Sequence, residues 1–238
     1  NFLSSLDGRI ALFDQSEDQY VLPDNLKCDE DFLLFLELYA QADCIITHGG
    51  YMRSLASGRL GNVLELPQLE STRYLHEWRE NQGMAASPDV VILSGSLDFP
   101  WNDTLDQSGR NVHIATGGAA QNDRMRYWQQ AGKQVRRFGQ CEHVDVNLLM
   151  EFLGQQGYRS VYLVAGPQLL NDLIVHDWVD RIYLTISQQF LGGESFKTLL
   201  SGSVLGQHGC LQLQRLYMDP QGSNGVSQLY SEYTFKVN

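Results

Sequence analysis

The sequence lacks any long apolar run. No stretch approaches the roughly 20 consecutive apolar residues that a membrane-spanning helix requires. The beginning of the given sequence also lacks a charged segment followed by an apolar one, which is the pattern of an export signal. We therefore expect a cytoplasmic protein that does not use a membrane as its partner.

Basic residues are scarce. The chain has 17 lysines and arginines against 28 aspartates and glutamates, for a formal net charge of −11. Proteins bind nucleic acid largely because lysine and arginine displace counterions from the phosphate backbone, so we expect no nucleic-acid partner. A small phosphorylated ligand remains compatible with this charge, since a few arginines can set the local field of one cleft.

Cysteines are few and far apart. None of the four forms a C-x-x-C pair, so the sequence indicates reduced thiols in a cytosolic protein and no disulfide framework. Cys141 and His143 are two potential metal ligands, but no further ligand follows at a suitable spacing. A plain surface position is the simpler interpretation, and we expect no bound metal.

What the sequence does contain is an alternation of strand-like and helix-like segments. The 238 residues are 43% hydrophobic, enough for a full core, and this alternation is typical of an α/β fold with a mostly parallel central sheet flanked by helices. Strands are predicted at Phe2–Leu6, Cys44–Thr47, Val90–Leu93, Val112–Ala115, Gln134–Phe138, Val161–Val164 and Arg181–Ser187, and helices at Asp31–Gln41, Arg124–Ala131, Val146–Gln155 and Pro167–His176. Helix ends are indicated by the potential N-caps Asn122 and Asp145 and by the glycines Gly132 and Gly157.

Two further segments complete the predicted architecture. Near the end of the chain, alternating apolar residues flank "DPQGSNG" (Asp219 to Gly225), which predicts an antiparallel hairpin and hence a mixed sheet. The stretch from Gly58 to Ser87 carries Tyr74 and Trp78 between polar, glycine-containing and proline-containing parts. We interpret it as an inserted lid or flap within a single domain of residues 1–238.

The stretch "YLVAGPQLL" (Tyr162 to Leu170) suggests a binding site for an anion. A buried strand stops at Ala165 and Gly166, and Pro167 then marks the first turn of a helix. Such a turn leaves backbone N–H groups and the positive end of the helix dipole facing outward, with no large side chain in the way. An ordinary connection between a strand and a helix is the alternative.

Four stretches, taken in order, resemble the reductase domain of riboflavin biosynthesis, the pyrimidine reductase family whose fold is similar to dihydrofolate reductase. They are "SSLDGRIA" (Ser4 to Ala11), "ADCIITHGGYMR" (Ala42 to Arg53), "YLVAGPQLL" and "WVDRIYLTISQQFLGG" (Trp178 to Gly193). Together they extend over nearly the whole chain. The resemblance implies a dihydrofolate reductase-like fold and a homodimer, and alternating apolar strands near the C-terminus agree with a sheet edge that needs a partner.

The resemblance also implies a nicotinamide dinucleotide cofactor, NADPH, whose diphosphate lies at the turn after the Tyr162 strand. A second glycine turn, at Gly49 and Gly50, would approach the same cofactor, although a simple tight turn is the alternative. The cofactor-binding residues implied in this way are Gly49, Gly50, Ser94, Ala165, Gly166, Pro167, Gln168 and Leu169.

Charge and geometry suggest roles around the substrate. Asn1, Ser5 and Arg53 are expected to bind the substrate, and Asp7 is expected to take part in catalysis by hydrogen-bonding a substrate amine. Each has a structural alternative: Asp7 can cap its own turn, Ser5 can satisfy backbone groups, and Arg53 can form a surface salt bridge. A guanidinium at Arg53 would hold a substrate phosphate through two parallel hydrogen bonds.

The chain departs from the family pattern at several positions. Val164 stands where a glutamate usually precedes the cofactor turn, Ser54 to Ser57 replace an Ala-Asp-Asp-Pro sequence, and Asn1 stands where bacterial members often have lysine. Asp98 stands where an arginine usually binds the additional phosphate of NADPH. NADH is therefore an alternative cofactor, although Ser94, Ser96 or Arg124 could bind that phosphate instead. The zinc-deaminase motif of the bifunctional enzyme is absent from the sequence.

The leading hypothesis is an NAD(P)H-dependent reductase that converts a phosphoribosylamino-pyrimidine to its ribitylamino product by adding hydride to C1′ of the sugar. With valine at position 164, water or Asp7 would supply the proton. Two alternatives remain open: a cofactor-binding sensor or regulator that has lost the activity, and a reductase of another small carbonyl or imine compound.

Overall fold

A computed structural model describes residues 1–107, 109–222 and 225–235. The chain forms two compact units: residues up to Phe35 together with those from Gly166 onward make the first, and Leu36–Ala165 make the second. The expectation of a single domain spanning residues 1–238 stays a prediction.

The first half contains β1 (Phe2–Ser5), β2 (Ala11–Asp14), β3 (Gln19–Val21), α1 (Asp29–Ala40), β4 (Cys44–His48), α2 (Gly49–Ala56), α3 (Arg73–Asn81), β5 (Asp89–Leu93), α4 (Thr104–Gln107) and β6 (Val112–Thr116). The second half contains α5 (Asn122–Gln130), β7 (Gln134–Arg137), α6 (Val146–Gln155), β8 (Val161–Leu163), α7 (Pro167–Val175), β9 (Arg181–Ser187), β10 (Phe196–Lys197), β11 (Leu211–Asp219) and β12 (Gln228–Phe235). Short 3-10 turns lie at Asp24–Leu26, Glu70–Thr72 and Gly206–Gly209.

A parallel sheet of five strands, in the order β7-β6-β5-β4-β8, forms the centre of the second unit. Its middle strands are almost continuously apolar and fully buried, as expected where helices cover both faces of a parallel sheet. Ile45 is paired with Val90 on one side and with Tyr162 on the other. Because all five strands run the same way, the turns that follow them lie along one edge, the carboxyl edge.

The segment from Gly58 to Ser87 is anchored to the core of the second unit. Arg79 is only 1% exposed, and its guanidinium donates hydrogen bonds to the carbonyl oxygens of Ala40 and Ala42, at 2.7 and 2.9 Å. Its Nε donates to the carbonyl oxygen of Ala85 at 2.8 Å. A flap that includes α3 would have to break these bonds in order to move, and the lid interpretation stays a prediction.

A mixed sheet of four strands, in the order β1-β9-β12-β11, forms the centre of the first unit. β1 runs parallel to β9, and β12 runs antiparallel to both β9 and β11. The predicted C-terminal hairpin is therefore present as β11 and β12, while Ser223 and Asn224 of its turn lie outside the described residues. A smaller sheet joins β10, β2 and β3.

The α/β class is confirmed, and the predicted elements match the observed ones to within two residues. Asp145 caps α6, with its Oδ1 accepting from the backbone N of Asn147 at 3.0 Å, and Gly132 and Gly157 adopt the predicted positive φ angles of 74° and 87°. The prediction for Asn122 is wrong. Asn122 is already the first residue of α5, and Gln121 takes the N-cap position without a side-chain hydrogen bond to the helix.

No helix in the described parts of the chain is long and apolar enough to cross a membrane. All four cysteines are free thiols, with Cys28 and Cys44 buried and Cys141 and Cys210 exposed.

Candidate active site

The turn between β4 and α2 contains the glycine pair predicted to approach a cofactor. A Cβ added to Gly49 would lie 3.0 Å from Ser94 Oγ, and one added to Gly50 would lie 2.7 Å from Nδ1 of His48. A larger residue at Gly50 would force the His48 ring to shift, and one at Gly49 would need the side chains of Ser94 and Phe99 to move by a few tenths of an ångström. Their role beside a cofactor stays a prediction, and the close packing joins the β4 turn firmly to the turn after β5.

His48, which analysis of the sequence passed over, caps α2. Its Nδ1 accepts a hydrogen bond from the backbone N of Tyr51 at 3.3 Å. Burial, and then the nearby charge of Arg53, hold the pKa of His48 below its ordinary value, so the ring is neutral at neutral pH. Since Nδ1 accepts, the ring proton is assigned to Nε2. The position directly before a glycine pair at a strand end is the signal that could have identified this residue.

The turn after β5 is held by Ser94. Its Oγ accepts from the backbone N of Leu97 at 3.0 Å, and Leu97 has an unusual positive φ of 55°. The carbonyl of Leu97 in turn accepts from Nε1 of Trp128 at 3.0 Å. Ser94 is thus buried in the turn, and cofactor binding by it stays a prediction, while Ser96 lines the neighbouring cavity.

A cavity of about 260 Å³ lies beyond the ends of β5 and β6, lined by Gly95, Ser96, Asp98, Ala119, Gln121 and Arg124. Within it, Nη2 of Arg124 lies 3.3 Å from Oδ1 of Asp98, and both side chains are well exposed. The structure therefore brings together Ser96, Asp98 and Arg124, three residues that the sequence pattern connects with the phosphate or ribose of a cofactor. No sequence pattern had indicated that Gln121 lines this cavity.

The turn after β6 consists of Gly117 and Gly118, which analysis of the sequence also missed. A Cβ on Gly118 would lie 2.0 Å from the carbonyl oxygen of Gln140, and one on Gly117 would lie 2.3 Å from that of Glu142. This close approach of two backbone segments shapes the cavity wall next to Ala119.

Arg53 lies in the last turn of α2 and is exposed. Its Nη1 donates to the backbone carbonyl oxygen of Asp98 at 2.7 Å. Within the described residues no carboxylate lies within salt-bridge distance of Arg53. Its guanidinium therefore does not form the surface salt bridge that was the structural alternative. The bond to Asp98 instead holds the guanidinium at the carboxyl edge.

The turn after β8 begins beside β4, where the backbone N of Val164 donates to the carbonyl oxygen of Ile46 at 2.8 Å. Gly166 is the N-cap of α7 and Pro167 is its first residue, as predicted. In the described parts of the chain, no side chain caps this helix N-terminus, and apart from the two neighbouring residues no heavy atom lies within 4 Å of a Cβ built on Gly166. The turn therefore presents free helical N–H groups to open space. Gln168 and Leu169 carry two of these groups, and cofactor binding by them stays a prediction.

In the first unit, Asp7 organises the loop after β1. It accepts hydrogen bonds from the Ser5 hydroxyl, from the Arg9 guanidinium and from the backbone N of Leu191 and Gly192, at 3.3 and 3.0 Å for the last two. The Ser5 hydrogen bond is the main cause that lowers the pKa of Asp7 to about 2. Asp7 is therefore ionised at neutral pH. These contacts support the structural alternative for both Asp7 and Ser5, and catalysis by Asp7 stays a prediction.

Asn1, the other substrate residue predicted at the start of the chain, carries a buried Oδ1 that has no hydrogen-bond partner among the described residues, and its role in binding stays a prediction. Asp31, in the first turn of α1, is also buried with an unpartnered oxygen. Sequence patterns could not single it out, because the run Asp29 to Asp31 is what an ordinary helix N-terminus looks like. Among the residues described, no three histidine, cysteine, aspartate or glutamate side chains converge as metal ligands would.

Comparisons with known proteins agree with this arrangement. Residues 1–222 match the family model of the RibD C-terminal domain. The chain is 26% identical over 204 residues to 2,5-diamino-6-ribosylamino-4(3H)-pyrimidinone 5′-phosphate reductase of Archaeoglobus fulgidus, covering 85% of this chain and 84% of that protein.

Two solved structures show the fold. A pyrimidine reductase-like protein from Corynebacterium diphtheriae superimposes with a TM-score of 0.74 at 19% identity, covering 100% of this chain and 90% of the other. Dihydrofolate reductase from Enterococcus faecalis, solved with NADP(H), superimposes with a TM-score of 0.50 at 12% identity, covering 97% and 91%. The fold is dihydrofolate reductase-like, and the chain belongs to the RibD C-terminal domain family.

Proposed function

We propose that this chain is an NAD(P)H-dependent reductase of riboflavin biosynthesis, which reduces a phosphoribosylamino-pyrimidine to the ribitylamino compound. The observation that carries the proposal is the uncapped N-terminus of α7, which opens on free space at Gly166. In a member of this family, that feature is suited to the diphosphate of a nicotinamide cofactor.

The residues present fit such a cofactor. Backbone N–H groups of Gln168 and Leu169 would hold the diphosphate, since Ala165, Gly166 and Pro167 leave the approach to them free of large side chains. Ser96, Gln121 and Arg124 line a cavity of about 260 Å³ that suits a phosphate and its ribose. When bound, nicotinamide supplies the hydride for C1′ of the sugar.

We propose NADPH as the preferred cofactor, with NADH as the alternative. The ion pair between Arg124 and Asp98 is exposed, and pairs of this kind contribute at most about 1 kcal/mol. A phosphate carries more charge than a carboxylate and offers more acceptor oxygens, so it would compete well for the Arg124 guanidinium. Asp98 would oppose the same phosphate by repulsion, which is why the preference is expected to be modest.

For the substrate, we propose that Arg53 binds the phosphate. Its guanidinium is held by the carbonyl of Asp98 but has further N–H groups that point to no carboxylate within the described residues. Opening of the ribose ring breaks the C1′–O4′ bond and gives an imine, with the amino proton passing to O4′. The reduction then adds a hydride to C1′ and a proton to the imine nitrogen. Asp7 is ionised and Val164 is apolar, so neither holds that proton at neutral pH, and we propose that water delivers it.

Two alternatives, a cofactor-binding sensor and a reductase of another carbonyl or imine compound, differ from this proposal in the substrates that they would reduce. Oxidation of NADPH should be measured with the phosphoribosylamino-pyrimidine, with a set of unphosphorylated carbonyl and imine compounds, and with no substrate. The proposal predicts turnover with the pyrimidine alone. Turnover with the uncharged compounds alone would favour the other reductase, and cofactor binding without any turnover would favour a sensor.

We further propose that two copies of the chain pair through β11. This strand is the last in its sheet, and Leu213, Leu216, Tyr217 and Met218 are each more than half exposed on it. An edge strand with apolar side chains can pair with an antiparallel copy of itself about a two-fold axis. Light scattering should show a dimer at micromolar concentration, and a monomer for the variant Tyr217→Glu combined with Leu213→Glu. A wild-type monomer would contradict the proposal.

A further inference from the structure

A cavity of about 180 Å³ lies at the amino edge of the parallel sheet in the second unit. Asp43 and Tyr158 lie just before β4 and β8, Asp89 begins β5, and α3 and the loop after it form most of the remaining wall. The turns predicted to bind the cofactor follow the other ends of these strands. This cavity is therefore separate from the candidate active site.

Arg79, on α3, brings a buried positive charge to this cavity. It is 1% exposed, and its three hydrogen bonds all go to backbone carbonyl oxygens. Within the described residues no carboxylate lies within salt-bridge distance of its nitrogen atoms. Burial lowers the pKa of the guanidinium, with smaller opposing effects from Tyr39 and Asp43, and the group still keeps its charge at neutral pH. A buried arginine without a charged partner is rare, because an isolated charge is costly to remove from water.

One nitrogen of this guanidinium is free to bind a ligand. Nη1 donates to the carbonyl oxygens of Ala40 and Ala42, and Nε donates to that of Ala85. Nη2 donates to no atom of the described residues. Nη2 shares an edge of the planar group with Nε, whose partner Ala85 lines the cavity, so Nη2 faces the same cavity. Its two N–H groups can donate to an acceptor there.

Asp43 provides a negative charge on another wall. Its Oδ2 accepts from the backbone N of Arg159 and of Ser160, at 2.8 and 3.0 Å, and these bonds fix the carboxylate in place. Its Oδ1 accepts from no atom in the described part of the chain. Both oxygens of Asp89 already accept hydrogen bonds, Oδ2 from the hydroxyl of Tyr158 at 2.6 Å. The cavity therefore offers one unused cationic donor and one unused anionic acceptor, which do not pair directly with each other.

We propose that this cavity binds a small α-amino acid in its zwitterionic form, with the carboxylate on Arg79 and the ammonium group on Asp43. Each charged group of the ligand then forms a charge-assisted hydrogen bond to a group of opposite charge. A plain carboxylic acid would satisfy Arg79 but would be repelled by Asp43 and Asp89, and a plain amine would be repelled by Arg79. The zwitterion avoids both penalties.

The size and the walls of the cavity restrict the side chain of the amino acid. Pockets for drug-sized ligands measure about 300–1,000 Å³, so a cavity of about 180 Å³ selects a much smaller molecule. Met84 and Ala85 are apolar residues of the wall. A short apolar side chain, as in alanine, therefore suits the cavity better than a charged one.

The experiment compares three probes that differ in their charged groups: L-alanine, propionate, which lacks the ammonium group, and ethylamine, which lacks the carboxylate. Each is titrated into the full chain, without cofactor, and binding is followed by NMR. The wild type should bind alanine at least about ten-fold more tightly than either of the other two. Equal binding of the three probes, or no binding of alanine at millimolar concentration, would overturn the inference.

A variant that removes one charge tests the assignment of the ammonium group. Asp43→Asn keeps an oxygen that can accept from the backbone of Arg159 and Ser160, and its affinity for alanine should fall at least about ten-fold. Glu80→Gln is the matched control, because Glu80 is an exposed carboxylate beside Arg79 on α3 that does not line the cavity. Wild-type affinity in Asp43→Asn would overturn the inference. Arg79 itself is left unchanged, since it holds three backbone carbonyls.

A second pair of variants fills the space and leaves both charges in place. Ser87→Phe adds a large side chain at a half-buried loop position on the cavity wall, and alanine binding should be lost. Ala86→Phe is its control, since Ala86 is the exposed neighbour that does not line the cavity, and this variant should bind alanine normally. Circular dichroism identifies the variants that fold. Alanine binding of wild-type strength in folded Ser87→Phe would exclude this cavity as the site.

Discussion

Arg124 and Asp98 face each other across the cavity beyond β5 and β6, with Nη2 and Oδ1 3.3 Å apart. One side chain attracts a phosphate and the other repels it. Under the proposed function, the choice between NADPH and NADH depends on how these two opposing charges balance.

Removing Arg124 should weaken NADPH binding selectively. We expect Arg124→Ala to lower the affinity for NADPH by about ten-fold, about 1.4 kcal/mol, and to change the affinity for NADH little. Arg126→Ala is the control, since Arg126 lies on the same helix but pairs with Asp123 at 3.4 Å and does not line the cavity. Fluorescence titration with both cofactors measures this, and equal losses for NADPH and NADH would exclude Arg124 from phosphate binding.

Adding a side chain at Gly166 should obstruct the cofactor turn. Its φ of −75° suits any residue, and a new Cβ meets no protein atom within 4 Å, so Gly166→Val should fold normally. The isopropyl group would project into the space where a diphosphate approaches, and we expect cofactor affinity to fall by at least ten-fold, about 1.4 kcal/mol. Gly61→Val, which also adds a side chain into open space, serves as the control. Calorimetry that finds unchanged affinity in folded Gly166→Val would rule out this position for the cofactor.

Arg53 should matter for a phosphorylated substrate and hardly at all for the cofactor. We expect Arg53→Ala to cost about 1.5–3 kcal/mol in kcat/KM, as for the loss of one charged hydrogen bond. Arg53→Lys should recover little of this, because an ammonium group cannot form two parallel bonds to a phosphate. Arg59→Ala is the control, since Arg59 is exposed nearby and bonds the Ser57 hydroxyl. Steady-state kinetics in which Arg53→Ala matches the wild type would remove Arg53 from the site.

The hydrogen bonds to Asp7 should make the free energy of unfolding depend on pH in acid. The folded state lowers the pKa of this carboxyl from 3.8 to about 2, so the unfolded chain takes up the proton first. The stabilisation is therefore complete above the ordinary pKa and is lost as pH falls through that interval. We expect the free energy of unfolding of Asp7→Asn to change less steeply with pH between about 4 and 2 than that of the wild type. Urea denaturation at several pH values tests this, and curves parallel to those of the wild type would contradict it.

Much of the fold could be predicted because strands and helices differ in the period of their apolar residues. Leu169, Leu170, Leu173 and Ile174 recur at helical spacing, and the observed helix α7 begins at the predicted Pro167. The error at Asn122 has a simple cause: asparagine is a good N-cap, but the preceding Gln121 adopts the extended backbone of the cap position.

The candidate site was less predictable, because its residues acquire their properties from distant parts of the chain. Asp31 and Asp29 look alike in sequence, and the packing of α1 on β9 makes one buried and leaves the other exposed. Gly118 owes its importance to the carbonyl of Gln140, a contact for which no local pattern exists. The sequence indicated both Arg53 and Asp98 as candidate site residues. It could not indicate their hydrogen bond, because that bond joins a side chain to a backbone carbonyl.

The most direct test of the reductase is transfer of a label. The chain should be incubated with NADPH deuterated at the transferable position of nicotinamide and with the phosphoribosylamino-pyrimidine that carries a 2-amino group, and the product examined by mass spectrometry and NMR. We predict a ribitylamino product with one deuterium, located on C1′. Cofactor binding with no labelled product, or a deuterium on any other carbon, would contradict the account.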